Sequence, residues 1–421
     1  MEEKKFHIKH MEVYIVAFVI AIAGAVAAFT YACSHLSYKE PGYYEITPIN
    51  RKDIPSYGYD FTFIYYLEGS SQQINAEYNL VQSLYSEELS MIYANLDENT
   101  IYMNYPSIAR LNAHPNEDIA LGERAYNTLK DAYERSNSAT NYSVFAEPLY
   151  AYWKGLFALG DLETQISQDP LNNENTRQIL DNLVAFSSDP SKVDLEFHSD
   201  YKVMLYVSDD YIEYMNSLDM NHPYVGLNVL KNAYIMDSIS SYLVKEEKTR
   251  GYIVSHDGLS VNLDADKSQA YTIYTKEDDL LKLGNATFQG QSSVSAMRRF
   301  ELTKYAISYY YSFEHEGETV YRSLFLDISK GYSLSNVLQS SVYENDLSIL
   351  DKTMINNELL KVETINDFKA FSNEEKYHDV KALVIYNNAD KKVYATNGLY
   401  NFVSLSSELD YNLINISEVT V

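Results

Sequence analysis

Residues 251–263 read GYIVSHDGLSVNL, and they mark the point at which the chain changes character. The stretch has the apolar, β-branched texture of strand, and the pattern continues beyond it. Ala270 to Tyr274, Lys304 to Phe313 and Thr319 to Leu326 also read as strands, the last two joined into a hairpin by the polar turn Glu314-His-Glu-Gly-Glu318. Helices are expected at Ser348 to Leu360 and Asn366 to Phe371. A closing hairpin pairs Val380 to Tyr386 with Lys392 to Thr396 around Asn387 to Asp390. Upstream of residue 251 helical spacing dominates. Ile74, Tyr78, Val81, Tyr85 and Leu89 recur at three or four residues within Gln72 to Ala94, and the same spacing predicts helices over Asp118–Ser136, Asn172–Phe186 and Val225–Val244, the last capped by Asn221. The upstream strands are the alternating Phe61, Phe63, Tyr65 and Leu67, and Lys202 to Val207. Helices first and strands later predict an α+β fold. No repeat or long linker divides it, so one body is expected over residues 56–421.

The N-terminus predicts a membrane tether. Val13 to Ala32 (VYIVAFVIAIAGAVAAFTYA) carries no charge, and as a helix it would run ~30 Å, the thickness of a hydrocarbon core. Lys4, Lys5 and Lys9 precede it, which places residues 1–12 in the cytoplasm and the body outside. Residues 33–55, with Pro41, Gly42, Pro48 and Pro55, read as a spacer. A cleaved signal peptide is the first alternative, although the apolar run is long for one. Lipidation at Cys33 is the second; Ala32 is the small residue such a site needs, but the usual Leu is missing.

Composition removes several function classes. At 421 residues, 46% hydrophobic and 22% charged, the chain can bury a substantial core. A net charge of −26 argues against nucleic acid, which is bound by clustered Lys and Arg. A single cysteine excludes an internal disulfide and Cys-based metal sites. The 41 tyrosines supply apolar area with a polar tip. There is no Gly-rich phosphate loop, no G-x-S-x-G elbow and no H-E-x-x-H, and the nine histidines are scattered. Asp209-Asp210 and Asp278-Asp279 read as surface acids, because a hard cation needs oxygens converging from several segments.

Several short motifs occur in an order that resembles the ApbE family, whose members transfer FMN from FAD to a Thr of a target protein using Mg²⁺. Tyr57-Gly-Tyr59 is similar to the opening Met-Gly-Thr, and Ser107-Ile-Ala-Arg-Leu-Asn112 to S-x-x-x-L-N. Pro148-Leu-Tyr-Ala-Tyr-Trp153 is similar to P-L-x-x-L-W, Val229 to Asp237 to I-A-K-G-Y-A-V-D, and Asp327-Ile-Ser-Lys-Gly-Tyr332 to D-P-x-T-G-Y. Tyr252 to Ser260 resembles the strand and Gly-Gly turn, and Lys381 to Ile385 with Thr396-Asn-Gly398 the closing hairpin. The likeness spans about residues 57–405 and implies a T-fold-type ApbE-like ectodomain.

The resemblance implies FAD and Mg²⁺ as ligands. Tyr102, Tyr142, Ser143 and Asn232 fall at flavin-contacting positions, and Asp351 with the main-chain carbonyl of Val229 at the metal position. The departures are concentrated at the chemistry. Asn232 replaces a Lys, Ala233 a Gly and Gly226 an acid; Tyr142-Ser143-Val144 replaces F-D-P; Tyr309-Tyr-Tyr311 replaces T-S-G. Ser323-Leu324 replaces a His pair, Asp257 one Gly of the turn, and Ile355 the Thr four residues after the metal Asp. Phosphoryl transfer depends on positioning and electrostatics, so these losses imply reduced or lost transferase activity and a binding role, with a flavin or a surface protein as partner, or with no cofactor at all. An active Mg-dependent transferase is the first alternative reading, and a structural surface protein the second.

Overall fold

The computed structural model describes residues 39–54, 57–58, 60–218, 223–277, 279–302, 309–334, 336–343, 346–387 and 390–419. The apolar run 13–32, Cys33, Tyr59, Asn221 and Asp278 lie outside the described residues. Among the described residues no helix is long and apolar enough to cross a membrane.

A principal sheet of nine strands organises the described chain. In chain order they are β1 (Gly42–Glu45), β2 (Phe61–Leu67), β3 (Gly251–Ser255), β4 (Leu259–Asn262), β5 (Ser292–Arg298), β6 (Val337–Tyr343), β7 (Lys381–Tyr386), β8 (Lys392–Ala395) and β9 (Asn412–Asn415). Their order across the sheet is also their order along the chain. Neighbours are antiparallel as far as β8, and β9 lies parallel to β8. Antiparallel neighbours can be joined by short turns, as β3 to β4 and β7 to β8 are.

The helices come mainly from the long excursion between β2 and β3. Helix α1 (Ser71–Leu96) opens with a capping box between Ser70 and Gln73. It buries Ile74, Val81, Tyr85 and Leu89, and Tyr85 meets Phe63 of β2 at a ring distance of 5.1 Å. Helices α2 (Ile108–Ala113), α3 (Glu123–Ser136), α4 (Glu147–Phe157) and α5 (Lys231–Lys245) follow. Helix α6 (Ile349–Leu359) covers β5 and β6.

Three sequence expectations change. The spacer 33–55 is not free chain from Gly42 onward: β1 pairs with β2, Tyr44 opposite Tyr65, and Ile46 and Ile54 are fully buried. The helix expected over 118–136 splits. Asp118–Ala120 pairs as a strand with Lys202–Val207, and helix begins only after Gly122, whose extended backbone separates the two. The helix expected from Val225 begins at Lys231, after a 3₁₀ turn at Asn228–Leu230. Asp209 and Asp210 open the helix Asp209–Ser217, where the N-terminal dipole favours acids, and Asp210 pairs with Lys192.

Some motif residues hold distant segments together. Trp153 is fully buried and donates its indole N–H to the carbonyl of Gly331 at 2.9 Å. Asn112 donates to the carbonyls of Glu98 and Val225 and accepts from the amides of Tyr224 and Val225. Asn141 donates to the carbonyl of Leu326 and accepts from the amide of Ile328. Such buried joints are costly to leave half-made, so they fix how the helical excursion seats against the sheet.

Candidate functional site

Two cavities share the walls Asp257, Leu324 and Phe325. The first, about 320 Å³, lies among the β3–β4 turn, the start of α5, the end of β5 and the segment Ser323–Phe325. The turn reaches the sheet because residue 258 is glycine. Its φ is +107°, and a Cβ there would stand 1.9 Å from the carbonyl oxygen of Ala296 in β5. This close approach brings Asp257 to the cavity. Ser255 donates its hydroxyl hydrogen to Asp257 Oδ1, and Asn232 Nδ2 donates to Oδ2 at 2.9 Å. Desolvation raises the Asp257 carboxyl pKa, while these two donors pull it back.

Two adjacent arginines stand on the same wall. Arg299 is 1% exposed, and none of its three guanidinium nitrogens has a hydrogen-bond partner among the described residues. Burial lowers its pKa to about 9. Arg298, the last residue of β5, is partly exposed; its Nε lacks a partner, and its guanidinium lies 5.7 Å from the centre of the Tyr274 ring. Burial lowers its pKa as well. Phe300, Tyr309 and Phe325 add aromatic surface to the cavity.

The second cavity, about 180 Å³, is lined by charges of both signs. Lys231 Nζ meets Glu98 Oε2 at 2.7 Å, and Lys154 Nζ meets Glu147 Oε1 at 3.5 Å. Glu147 is 2% exposed, and burial pushes its carboxyl up to about 7 against the pull of Lys154. Burial lowers Lys231, but the carboxylates of Glu98 and Asp97 outweigh it and leave that ammonium above its ordinary value. A Cβ at Gly226 would lie 2.5 Å from Glu147 Oε2. Glu147, reaching in from α4, thus fills the space beside the position where the resemblance expects an acid.

The residues singled out from the sequence divide into three groups. Asn232 lines the first cavity and Val229 the second. Ser143 stands next to the second: its carbonyl accepts from Asn228 Nδ2 at 2.9 Å, and Asn228 lines the cavity. Tyr102, Tyr142 and Asp351 line neither cavity. Tyr102 is buried and donates its hydroxyl to Asp97 Oδ2 at 2.9 Å. Tyr142 is buried in the core among Val144, Leu183 and their neighbours, with its hydroxyl unpaired among the described residues.

Asp351 belongs to an ion pair. Its Oδ1 accepts from Arg135 Nη1 at 2.8 Å and its Oδ2 from the Ser348 hydroxyl at 2.7 Å. Arg135 also reaches Asp131 at 2.8 Å. An arginine therefore provides the positive charge beside Asp351. The residue of α6 that lines the second cavity is Thr353, two positions on and so about 200° around the helix from Asp351. Thr353 spends its hydroxyl hydrogen on the carbonyl of Ile349, and Ile355 packs against apolar neighbours. Among the described residues no group of three or more His, Cys, Asp or Glu could hold a metal ion.

Arg298, Arg299, Glu147 and Lys154 were not anticipated. Adjacent arginines at a strand end, in so acidic a chain, were the available signal for the first two. Glu147 and Lys154 carry no signal, since i and i+7 on a helix are an ordinary surface pattern.

No protein-family model matches the chain, and no curated protein sequence matches it. Solved structures do. The ApbE protein of Thermotoga maritima superposes with a TM-score of 0.58 at 13% identity, covering 86% of this chain and 99% of its own. The flavin transferase ApbE of Vibrio cholerae gives 0.53 at 13% identity, with 86% and 99% covered. The apo flavinyl transferase ApbE of Pseudomonas stutzeri gives 0.50 at 11% identity, with 81% and 92% covered. The chain has the fold of the ApbE flavin transferases.

Proposed function

We propose that this is a membrane-anchored extracytoplasmic protein that uses an ApbE-type cleft to bind a flavin nucleotide, with flavin transfer reduced or lost. The observation that carries the reading is where the sequence departures fall. Asn232, Asp257, Tyr309, Ser323 and Leu324 line one cavity. They stand where the resemblance expects a Lys, a Gly, a Thr and a His pair. Aromatic walls and two arginines suit a planar anionic ligand. Asn232 and Ser323-Leu324 supply neither the Lys nor the His pair that the resemblance expects for phosphoryl transfer from FAD. Placement outside the cytoplasm rests on the apolar run 13–32 and its basic flank, with a lipid on Cys33 as the alternative anchor.

An active Mg-dependent transferase remains the competing reading, favoured by Val229 and Thr353 together on the second cavity. Titration of the full-length chain with FAD decides between them, following flavin fluorescence in EDTA and in Mg²⁺, with mass spectrometry of a Thr-bearing acceptor. Binding that is indifferent to Mg²⁺, with no FMN added to the acceptor, is expected. Mg²⁺-dependent binding with FMN transfer would establish the transferase. Absence of binding to FAD and FMN alike would leave a structural surface protein.

A further inference from the structure

We propose that Arg298 and Arg299 form an oxyanion-binding site in the wall of the first cavity, taking a phosphate group of the ligand without a metal ion. The proposal rests on this cleft being a ligand site, but not on the ligand being a flavin.

The argument starts from unmet bonding. More than nine in ten buried polar groups in folded proteins have partners, and a buried charge without one is costlier still. Arg299 is 1% exposed, and its three guanidinium nitrogens lack partners among the described residues. Arg298, next in the chain and partly exposed, lacks one at Nε, and its guanidinium lies 5.7 Å from the centre of the Tyr274 ring. Both arginines line the first cavity, so an anion bound there meets two positive charges.

Two acids of the same cavity already accept other hydrogen bonds. Asp257 accepts from Ser255 and Asn232, and Glu301 Oε1 accepts from the amide of Tyr309 at 3.1 Å. Asp60 also lines the cavity and forms no ion pair with either arginine. The nearest buried carboxylate of the neighbouring core, Asp169, is held by Arg322 and Tyr311. Among the described residues no side chain supplies the acceptor for Arg299, and we assign that role to the ligand. A guanidinium presents its N–H groups as a planar fork, which a tetrahedral oxyanion meets with two parallel bonds. Arg298 is the partly exposed member of the pair, and Arg299 adds a buried charge to the same wall.

The test uses the full-length chain in EDTA, with inorganic phosphate and pyrophosphate as probes and riboflavin as the uncharged flavin. Calorimetric titration and thermal shift are measured on the wild type, Arg298→Met, Arg299→Met and Arg298→Lys. Both Met variants keep the apolar stem, and circular dichroism confirms their fold. Metal-independent pyrophosphate binding is expected in the wild type. It weakens at least tenfold in each Met variant, with partial recovery in Arg298→Lys. Equal pyrophosphate binding in wild type and both Met variants overturns the proposal. So does the absence of any oxyanion binding at concentrations that saturate a site tighter than about 1 mM. Oxyanion binding without flavin binding would sink the flavin reading and leave this site standing; riboflavin binding without oxyanion binding would do the reverse.

Discussion

Arg322 and Arg299 are buried close enough to feel each other's charge, and the protein treats them in opposite ways. Arg322 gives Nε and Nη2 to the two oxygens of Asp169, at 2.7 and 3.0 Å, and Tyr311 adds its hydroxyl at 2.8 Å. The Arg322 guanidinium also lies 5.9 Å from the centre of the Trp153 ring. Arg299 has no comparable shell. The first arrangement is a joint, complete within the chain. The second is incomplete, and it faces a cavity. Burial alone thus does not distinguish structural from functional charge; what distinguishes them is whether the partners are supplied internally.

The sharpest way to break this comparison is to remove each guanidinium in turn. Arg322→Met strands Asp169 in the core and should cost about 3–5 kcal/mol. Arg299→Met removes an unsatisfied charge and should raise the stability of the ligand-free protein by about 1–3 kcal/mol. Urea unfolding gives both values. Losses of similar size for the two variants would mean that Arg299 is as fully paired as Arg322.

Glu147 is an intermediate case, buried and only loosely matched by Lys154. Its folded pKa of about 7 lies above the ordinary 4.5, so between those values the folded chain holds the proton more tightly than the unfolded chain. Stability therefore falls as pH rises from 4.5 to 7, by about 3 kcal/mol at 1.36 kcal/mol per unit. Glu147→Gln should flatten that slope in urea midpoints measured from pH 4.5 to 8. An unchanged slope would assign the linkage to other groups.

The smallest effect belongs to the half-exposed pair of Arg135 and Asp351, with side chains 24% and 41% exposed. Asp351→Ala should cost about 0.5 kcal/mol or less by thermal melting and leave FAD binding unchanged with or without Mg²⁺. Loss of Mg²⁺-dependent binding in this variant would return Asp351 to the site.

Much of the fold was legible where side-chain period and burial agree. β2 alternates buried and half-buried along its whole length, and α1 buries the stripe that its spacing announced. β6 was not legible. It is buried on both faces, Val337 and Val342 against the α6 side and Leu338 and Tyr343 against the hairpin of strands Ser268–Lys276 and Leu280–Gln289, and its centre is Gln339-Ser-Ser341. No alternation survives in such a strand. Of the residues that the ordered motifs single out, Asn232 lines the first cavity and Val229 the second. Asp351 lines neither, since it stands two residues before Thr353 on the helix and so faces the other way. Glu147 was not legible, because its role comes from the missing side chain at Gly226, far away in sequence.

The order of the principal sheet also constrains how the protein is made. β2 ends at Leu67, and its partner β3 begins only at Gly251. From β3 onward every seam joins segments much nearer in the chain, so each pairing closes a shorter loop. The β2–β3 seam closes the longest one, at the largest entropic cost. On the ribosome the β1–β2 hairpin and the helices after it emerge well before β3 exists, and until then one edge of β2 has only water to bond with. The part of the chain made first must wait, with an open strand edge, for the part made last.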